Sequence, residues 1–473
     1  MSFFTARRIV VAVGIDLGTR KIHPTRLIAI AFTIVILLGA LLLMMPVSNK
    51  SGTSLNFLDA LFTSVSAVTV TGLATVDTET NWTMFGHFVI ALLLQIGAFG
   101  IVGFGALMIF LIEGRLSLRG KLSATKEYST GSAPDVKTLL RRIAQFMLGF
   151  QAVLFLILFY RLVTEYGYSF NKALGHGLFH AISSFNNAGF ALYSDSMMRF
   201  SQDPWVIIPI FLTVYFASLG FPVLSEILDR LKEKIRIMRD PTAIRQLPLQ
   251  WSLNSRIVLW ASFVLTVLGA LYIGILEWNN PNTLGPMSPI NKVWDSIFAA
   301  VMPRTAGFNA IDISQLNPAT WLGMNFLMFI GGASASTAGG IKVGTFVVLL
   351  FVVYTEIRGE TAVNIGNRRL PRSMQRQALA IVSITSMVIV GAVILLRLTT
   401  EFNLDQILFE VFSAVGTVGL STGITPELPP HAKFLLSLLM LFGRLGPIVV
   451  ATSLALRKVR RHYELPKERP LIG

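Results

Sequence analysis

Cysteine is absent from all 473 residues, so disulfide frameworks, thiolate nucleophiles and cysteine metal sites are excluded from the start. Charge is scarce as well. Only 14% of residues are charged, and the acidic ones are the scarcer sign, 25 Asp and Glu against 40 Lys and Arg. No HExxH helix occurs, no glycine-rich dinucleotide fingerprint and no complete phosphate-binding loop. What fills the chain instead is apolar, 53% of residues with a mean hydropathy of +0.65, gathered in long runs rather than short amphipathic periods. That is the composition of a polytopic membrane protein.

The net charge of +15 invites a nucleic-acid reading, which its distribution removes. The tails and loops at about 1–26, 114–142, 229–256, 357–376 and 457–473 hold 30 of the 40 basic residues. All five fall on one side if each of four units crosses the membrane twice, the positive-inside pattern, which places both termini in the cytoplasm of a multi-pass plasma-membrane protein. Leu27 to Met45 follows a basic leader but has no small-residue cleavage site, so it is expected to be the first span rather than a signal peptide.

A short hydroxyl-rich stretch between apolar runs, FTSVSAVTVTGL (Phe62 to Leu73), recurs as FHAISSFNNAGF (Phe179 to Phe190), IFAAVMPRTAGF (Ile297 to Phe308) and FEVFSAVGTVGL (Phe409 to Leu420). The aligned glycines, Gly72, Gly189, Gly307 and Gly419, are spaced by 117, 118 and 112 residues. The expected fold is an all-α membrane protein of four span, short helix, span repeats in a pseudo-fourfold ring around one axis. The units run 1–114, 115–228, 229–357 with a cytoplasmic connector, and 358–473. Their predicted spans are Leu27–Met45 and Met84–Ile112, Ile143–Val163 and Trp205–Leu228, Ile257–Leu276 and Trp321–Ile357, Ala378–Leu398 and Lys433–Leu456. The short helices are Leu58–Val68, Lys172–Phe185, Lys292–Met302 and Asp405–Val415. Trp82, Trp205, Trp278 and Trp321 fit an outer aromatic belt, and the connector 229–254 has room for an amphipathic helix.

A chain that enters a membrane as a short helix and returns extended leaves carbonyls that must find a partner, and a cation on the axis can be that partner. Glycine permits the backbone angles and the close approach to the axis. The lining is then Val70, Thr71 and Gly72; Asn187, Ala188 and Gly189; Thr305, Ala306 and Gly307; and Thr417, Val418 and Gly419. No acidic residue is among them, which suits a weakly hydrated monovalent ion better than calcium. Asp59, Asp295 and Asp405 are expected near the N-termini of three short helices, whose C-terminal ends favour a cation. Asp77, Asp195 and Asp312, with Glu427 in the fourth unit, are either an acidic outer mouth that concentrates cations or ordinary loop carboxylates and caps. Arg304 is expected behind the lining, paired with a carboxylate, and His176 and His180 are expected to pack rather than hold a metal.

The second span of the third unit is interrupted by Gly331-Gly332-Ala333-Ser334-Ala335-Ser336-Thr337-Ala338-Gly339-Gly340, which cannot form a stable helix core. From filter glycine to membrane-exit glutamate the third unit takes 49 residues, against 41 and 37 in the first two. The surplus is expected as a loop beneath the lining and as a gate, formed by Gly331, Gly332, Ser334, Ser336, Thr337, Gly339 and Gly340 with Lys342. Arg444, inside the last apolar run, should face the same cavity as a latch or make a structural hydrogen bond to the broken helix.

These glycines, RTAGF (Arg304 to Phe308), GGASASTAGGIK (Gly331 to Lys342) and FGRLGP (Phe442 to Pro447) together make the chain resemble the Ktr/Trk/HKT superfamily of potassium transporters, most closely its bacterial KtrB-type membrane subunits. The resemblance covers essentially the whole chain. It implies a K+ uptake pore gated by the intramembrane loop, with Na+ as a candidate coupling or activating ion and no cofactor in the chain. It further implies a homodimer seated on a cytoplasmic ring of nucleotide-binding KtrA-like subunits, with lipid around it and no nucleic acid. Two other classes stand beside this reading: a membrane-embedded enzyme needs paired aspartates or a Ser/His pair within spans, and a proton-coupled secondary transporter needs a buried titratable carboxylate. Neither feature stands in mid-span, and the chain is not read as an enzyme.

Overall fold

The computed structural model describes residues 24–114, 136–240 and 250–446. The basic tails, the tail docking segment and the end of the last predicted span lie outside these residues, as does Pro447. Fourteen helices of eight residues or more run through the described part, which is almost wholly helical.

The first unit comprises α1 (Pro24–Met44), the short α2 (Phe57–Val68) and α3 (Met84–Gly114). The second has α4 (Val136–Thr164), the short α5 (Phe170–Asn186), then α6 (Pro204–Ser218) and α7 (Phe221–Arg239). The third has α8 (Leu253–Glu277), the short α9 (Pro289–Val301), then α10 (Pro318–Phe329) and α11 (Val343–Ile357). The fourth has α12 (Arg372–Thr399), the short α13 (Leu404–Gly416) and α14 (Pro430–Leu445). Between α11 and α12 a hairpin of β1 (Asn364–Ile365) and β2 (Arg368–Arg369) turns through Gly366-Asn367, a Gly-led turn that two-residue hairpins favour.

Local signals place these boundaries. Pro204, Pro318 and Pro430 each open the second helix of a unit, where a missing N–H costs nothing. Asn56 caps α2 through the Leu58 N–H, and Gln406 returns to the Asn403 N–H at the start of α13. The short helices have 12, 17, 13 and 13 residues, roughly 18–25 Å, less than the ~30 Å of a hydrocarbon core. Three described helices, Leu140–Thr164, Leu253–Glu277 and Arg372–Thr399, are long and apolar enough to cross one; the pair α6 and α7 makes a fourth if counted together.

That pair corrects the single predicted span Trp205–Leu228. The chain bends by 104° between α6 and α7, at Gly220 with φ 84°, and the amphipathic helix starts at Phe221 rather than in the connector. Glycine is required there because a Cβ would stand 2.7 Å from the Ser334 carbonyl oxygen. The aromatic belt is also only partly realised. Trp205 and Trp278 are exposed, whereas Trp82 is wholly buried and Trp321 turns its Nε1–H to the Ile313 carbonyl at 2.8 Å.

The units close a ring through one repeated contact: α3 packs on α5, α6 on α9, α10 on α13, and α14 on α2. Each second helix thus supports the short helix of the next unit. Lys433 at the start of α14 joins Asp59 on α2 at 3.1 Å, tying the fourth unit to the first. Phe62, Phe179 and Phe409 are buried at the same repeat position, and in the third unit Phe298 fills that place while Ile297 faces outward.

Candidate functional site

All four short helices end in the same backbone figure. The residue two before each glycine has positive φ: Val70 at 56°, Asn187 at 58°, Thr305 at 82° and Thr417 at 50°. In units one, two and four the following N–H returns to a helix carbonyl five residues back: Thr71 to Ser66 at 2.8 Å, Ala188 to Ser183 at 2.9 Å and Val418 to Ser413 at 2.8 Å. The left-handed residue's own N–H returns three residues back, Val70 to Ala67, Asn187 to Ser184 and Thr417 to Ala414. This is a Schellman ending, which ordinarily takes glycine at the left-handed position. A β-branched Val or Thr there stores on the order of 1–3 kcal/mol, so the surroundings hold the turn in place. In the third unit the Met302 carbonyl accepts from both Ala306 and Gly307, at 2.9 and 3.2 Å.

The four glycines, all with positive φ, come together at the centre. A Cβ on Gly72 would overlap the Ala188 carbonyl oxygen, one on Gly307 that of Val418, one on Gly419 that of Thr71, and one on Gly189 would stand 2.8 Å from that of Ala306. Each glycine therefore packs on the carbonyl before the next glycine, in chain order, until the fourth meets the first. The ring is made by the four glycines with Thr71, Ala188, Ala306 and Val418; Val70, Asn187, Thr305 and Thr417 are the left-handed residues that precede it in the chain. Beside it, both amide atoms of Asn187 and the hydroxyls of Thr305 and Thr417 are buried with no hydrogen-bond partner among the described residues, polar groups that native structures seldom leave unpaired.

Sequence reasoning missed the serines that hold the ring. Ser66 Oγ accepts the Gly72 N–H at 3.0 Å and Ser413 Oγ the Gly419 N–H at 3.1 Å, while Ser183 Oγ donates to the Phe190 carbonyl at 2.7 Å. Their signal is a column of the aligned stretches, six before the glycine, in which the third unit has Val301. Arg304 is buried, but among the described residues no carboxylate meets it. Its guanidinium donates to the Ser262 carbonyl at 3.2 Å and Ser262 Oγ at 3.0 Å on α8, since neutral oxygens suffice where an apolar wall leaves no room for a counter-charge. Asp295 likewise departs from expectation. Proline starts α9 early, leaving Asp295 beyond the first turn, buried, with neither oxygen hydrogen-bonded among the described residues.

Between α10 and α11 the loop closes at its neck, where Ile330 bridges Ile341 and the Gly331 N–H meets the Ile341 carbonyl at 2.8 Å. It reaches to just under the ring. The Thr337 hydroxyl donates to the Phe185 carbonyl at 3.3 Å, and Gly339 lies so close to Thr417 that a Cβ would collide with its hydroxyl. On one side the Ala333 N–H donates to the Ser218 carbonyl at 2.8 Å, and the Phe221 N–H to the Ala335 carbonyl at 3.0 Å. On the other, Arg444 Nη1 donates to the Thr337 carbonyl. Lys342 folds back on the loop, donating to the carbonyls of Ala338 at 2.6 Å and Gly339 at 3.1 Å, and Ser336 accepts the Ala338 N–H at 3.2 Å. Gly332, Ser334 and Gly340 complete the turn, with Gly340 at φ 62°.

The outer carboxylates are spent locally. Asp77 caps the helical turn Thr78–Asn81 through the Thr80 N–H at 2.8 Å, and Asp312 caps Ile313–Gln315 through the Ser314 N–H at 2.9 Å. Burial pushes the Asp77 carboxyl up, but hydrogen bonds from Ser194 and Thr80 outweigh it and leave it below the usual carboxylate range. Asp195 holds Arg199 at 2.6 Å, which also reaches Glu79 at 3.5 Å and joins the outer loops of units one and two. Glu427 is exposed. His176 and His180 pack against Tyr193, and no cluster of three metal-ligating side chains occurs among the described residues.

The family described as "TrkH: Cation transport protein" matches residues 18–459. Ktr system potassium uptake protein B of Bacillus subtilis is 38% identical over 436 residues, 92% of this chain and 94% of that protein. Potassium/sodium uptake protein NtpJ of Enterococcus hirae is 32% identical over 460 residues, 96% of this chain and 98% of its own. The crystal structure of the potassium transporter TrkH from Vibrio parahaemolyticus superposes with a TM-score of 0.72 at 17% identity, over 93% of this chain and 86% of that one. The chain therefore belongs to the TrkH family of cation transport proteins, and it is a transporter rather than an enzyme.

Proposed function

We propose that the chain is a potassium uptake pore, with the glycine ring as its selectivity filter and the loop 331–340 as its gate. The observation that carries this reading is the ring of four glycines, each packed on the carbonyl that precedes the next. Such a ring replaces the hydration shell of a weakly hydrated cation, and an added side chain would destroy it. The ion is K+ because relatives similar over nine-tenths of the chain carry potassium uptake in their names; one name includes sodium, which makes Na+ the candidate second ion. Both termini face the cytoplasm in this reading. The protein works as a homodimer whose basic cytoplasmic face seats a KtrA-like nucleotide-binding ring, and Asp77, Asp195 and Asp312 serve the outer loops chiefly as caps and ties.

The test is growth at limiting potassium of a strain lacking its own uptake systems, with and without this gene. Rescue by the parent and its loss in Gly72→Ser, at equal membrane abundance, are expected. Equal rescue by both would sink the filter assignment. Co-purification with a co-expressed nucleotide-binding subunit, and nucleotide-dependent flux, test the ring; absence of both would remove that claim.

A further inference from the structure

Beyond each filter glycine the chain climbs back toward the outer surface, and the N–H three residues on has neither helix nor strand to pair with. In the second unit the Leu192 N–H donates to Nε2 of His180 at 3.2 Å. His180 lies on α5 nine residues before Gly189 and is buried. Its Nδ1 is 2.7 Å from the His176 carbonyl oxygen. An amide N–H can only donate and a carbonyl can only accept, so these two partners dictate a neutral ring carrying its proton on Nδ1. Stacking on Tyr193, with centroids 4.9 Å apart and planes 12° apart, fixes the ring's orientation.

The fourth unit repeats the contact with different chemistry. Glu410, nine residues before Gly419, accepts the Thr422 N–H on Oε1 at 3.0 Å, and Thr422 is again three residues past the glycine. Its carboxylate also takes the hydroxyls of Ser421 at 2.5 Å and Thr425 at 2.8 Å. At the same position the first unit has Thr63, whose hydroxyl is engaged with the Asp59 carbonyl at 2.9 Å, and the third has Phe298, which has no acceptor.

We propose that His180 and Glu410 are positioning residues, each holding the outer leg of a filter strand to its own pore helix by accepting that N–H. The second and fourth units face each other across the ring, so two opposite legs are tied to their own pore helices; among the described residues the other two have no such tie, and the third unit's leg is held instead from unit two, Ser196 Oγ accepting the Asn309 N–H at 3.3 Å. The inference rests on the filter reading. A leg tied three residues from the glycine fixes the carbonyls near it; a released leg lets them follow a smaller ion inward. The ties should therefore set discrimination between K+ and Na+ more than total flux.

The experiment uses the full-length protein in liposomes, with K+ and Na+ fluxes normalised to folded protein. His180→Phe keeps the stacked ring and removes the acceptor, and Glu410→Leu removes the carboxylate. Each should lower the K+ to Na+ flux ratio about tenfold. His180→Gln, whose amide oxygen reaches the place of Nε2, and Glu410→Gln should stay within about twofold of the parent, as should Thr63→Val in an untied unit. Gly72→Ser separates the two levels of argument. If it changes the ratio while folded His180→Phe and Glu410→Leu do not, the ties are refuted and the filter stands; if none of the three changes it, both fall. Should the Phe and Leu variants not accumulate, His180→Asn decides, because its shorter amide cannot reach Leu192. A parental ratio in folded His180→Asn overturns the proposal.

Discussion

Replacing each filter glycine by alanine gives a graded prediction, because the four are not equally crowded. At Gly189 the added carbon would stand 2.8 Å from its nearest neighbour, about 0.6 Å short of ordinary contact at 3.4 Å; at Gly72, Gly307 and Gly419 the shortfall is roughly twice that. The obstacle in every case is a backbone carbonyl, which cannot rotate away as a side chain could. All four positions also have positive φ, costing a side chain about 1–2 kcal/mol. Overpacking adds about 1–3 kcal/mol, with the upper end belonging to the three tighter sites. The two terms come to about 2 kcal/mol at Gly189 and about 4–5 kcal/mol at the three tighter sites; since every 1.4 kcal/mol is about tenfold, Gly72→Ala, Gly307→Ala and Gly419→Ala should weaken apparent K+ affinity by about 1,000-fold and Gly189→Ala by about 30-fold. The assay is K+ flux against concentration in liposomes, with folded protein counted by size-exclusion chromatography. A folded Gly189→Ala as impaired as Gly72→Ala would refute the reasoning from packing, and unchanged affinity in Gly72→Ala would remove the filter itself.

Removing Ser334 to Ala338 should raise flux and leave the K+ to Na+ ratio intact, since no filter residue is lost; a folded variant that conducts less than the parent contradicts the gate. Arg444→Ala, which frees the Thr337 carbonyl, should act in the same direction more weakly, read from the same normalised flux. Gly220→Ala introduces a side chain at φ 84° against the Ser334 carbonyl and should displace the loop, giving higher basal flux; parental flux at parental abundance would show that the bend and the loop move independently. Phe409→Ala empties a fully buried site behind the fourth filter strand and should cost about 3–5 kcal/mol, seen as a lowered midpoint of thermal unfolding in detergent.

What was legible in the sequence is what a single residue type must do alone. Only glycine fits the ring and the crowded loop, so Gly72, Gly189, Gly307, Gly419 and the run 331–340 announced themselves. Hydropathy hid the bend at Gly220, because the residues on both sides of it stay apolar and one glycine barely lowers a window average. The punctuation was nevertheless present as Leu219-Gly220-Phe221-Pro222. Partners chosen in three dimensions were less accessible. Nothing in the spacing says that Arg304 ends on Ser262, 42 residues earlier, or that Trp82 is buried while Trp205 is exposed. The serine column at 66, 183 and 413 was visible in the aligned stretches, but a serine six residues before a glycine has meaning only once the Schellman turn brings the two together. Asp295 and Glu410 are buried on short helices rather than in mid-span, a burial that spacing alone does not reveal.

The proposed gate belongs to the third unit but is held by its neighbours. Unit two ends α6 at Gly220 and unit four ends α14 at Gly446, both with φ 84°. Both glycines lie within two residues of a contact to the loop. Ser218 and Phe221, flanking the first, bond the loop backbone at 2.8 and 3.0 Å, and Arg444, two residues before the second, donates to the Thr337 carbonyl. Above, Thr337 reaches the end of α5 and Gly339 presses on Thr417, a residue of the fourth filter strand. Displacing the loop breaks these contacts together rather than one at a time. At about 1 kcal/mol net for each hydrogen bond, these contacts stabilise the loop in its observed position by a few kcal/mol. If the proposed regulatory ring opens the proposed gate, it must supply at least that much differential binding energy. Because Gly339 touches Thr417, opening also changes what the fourth filter strand rests on, so gating and the filter share one contact.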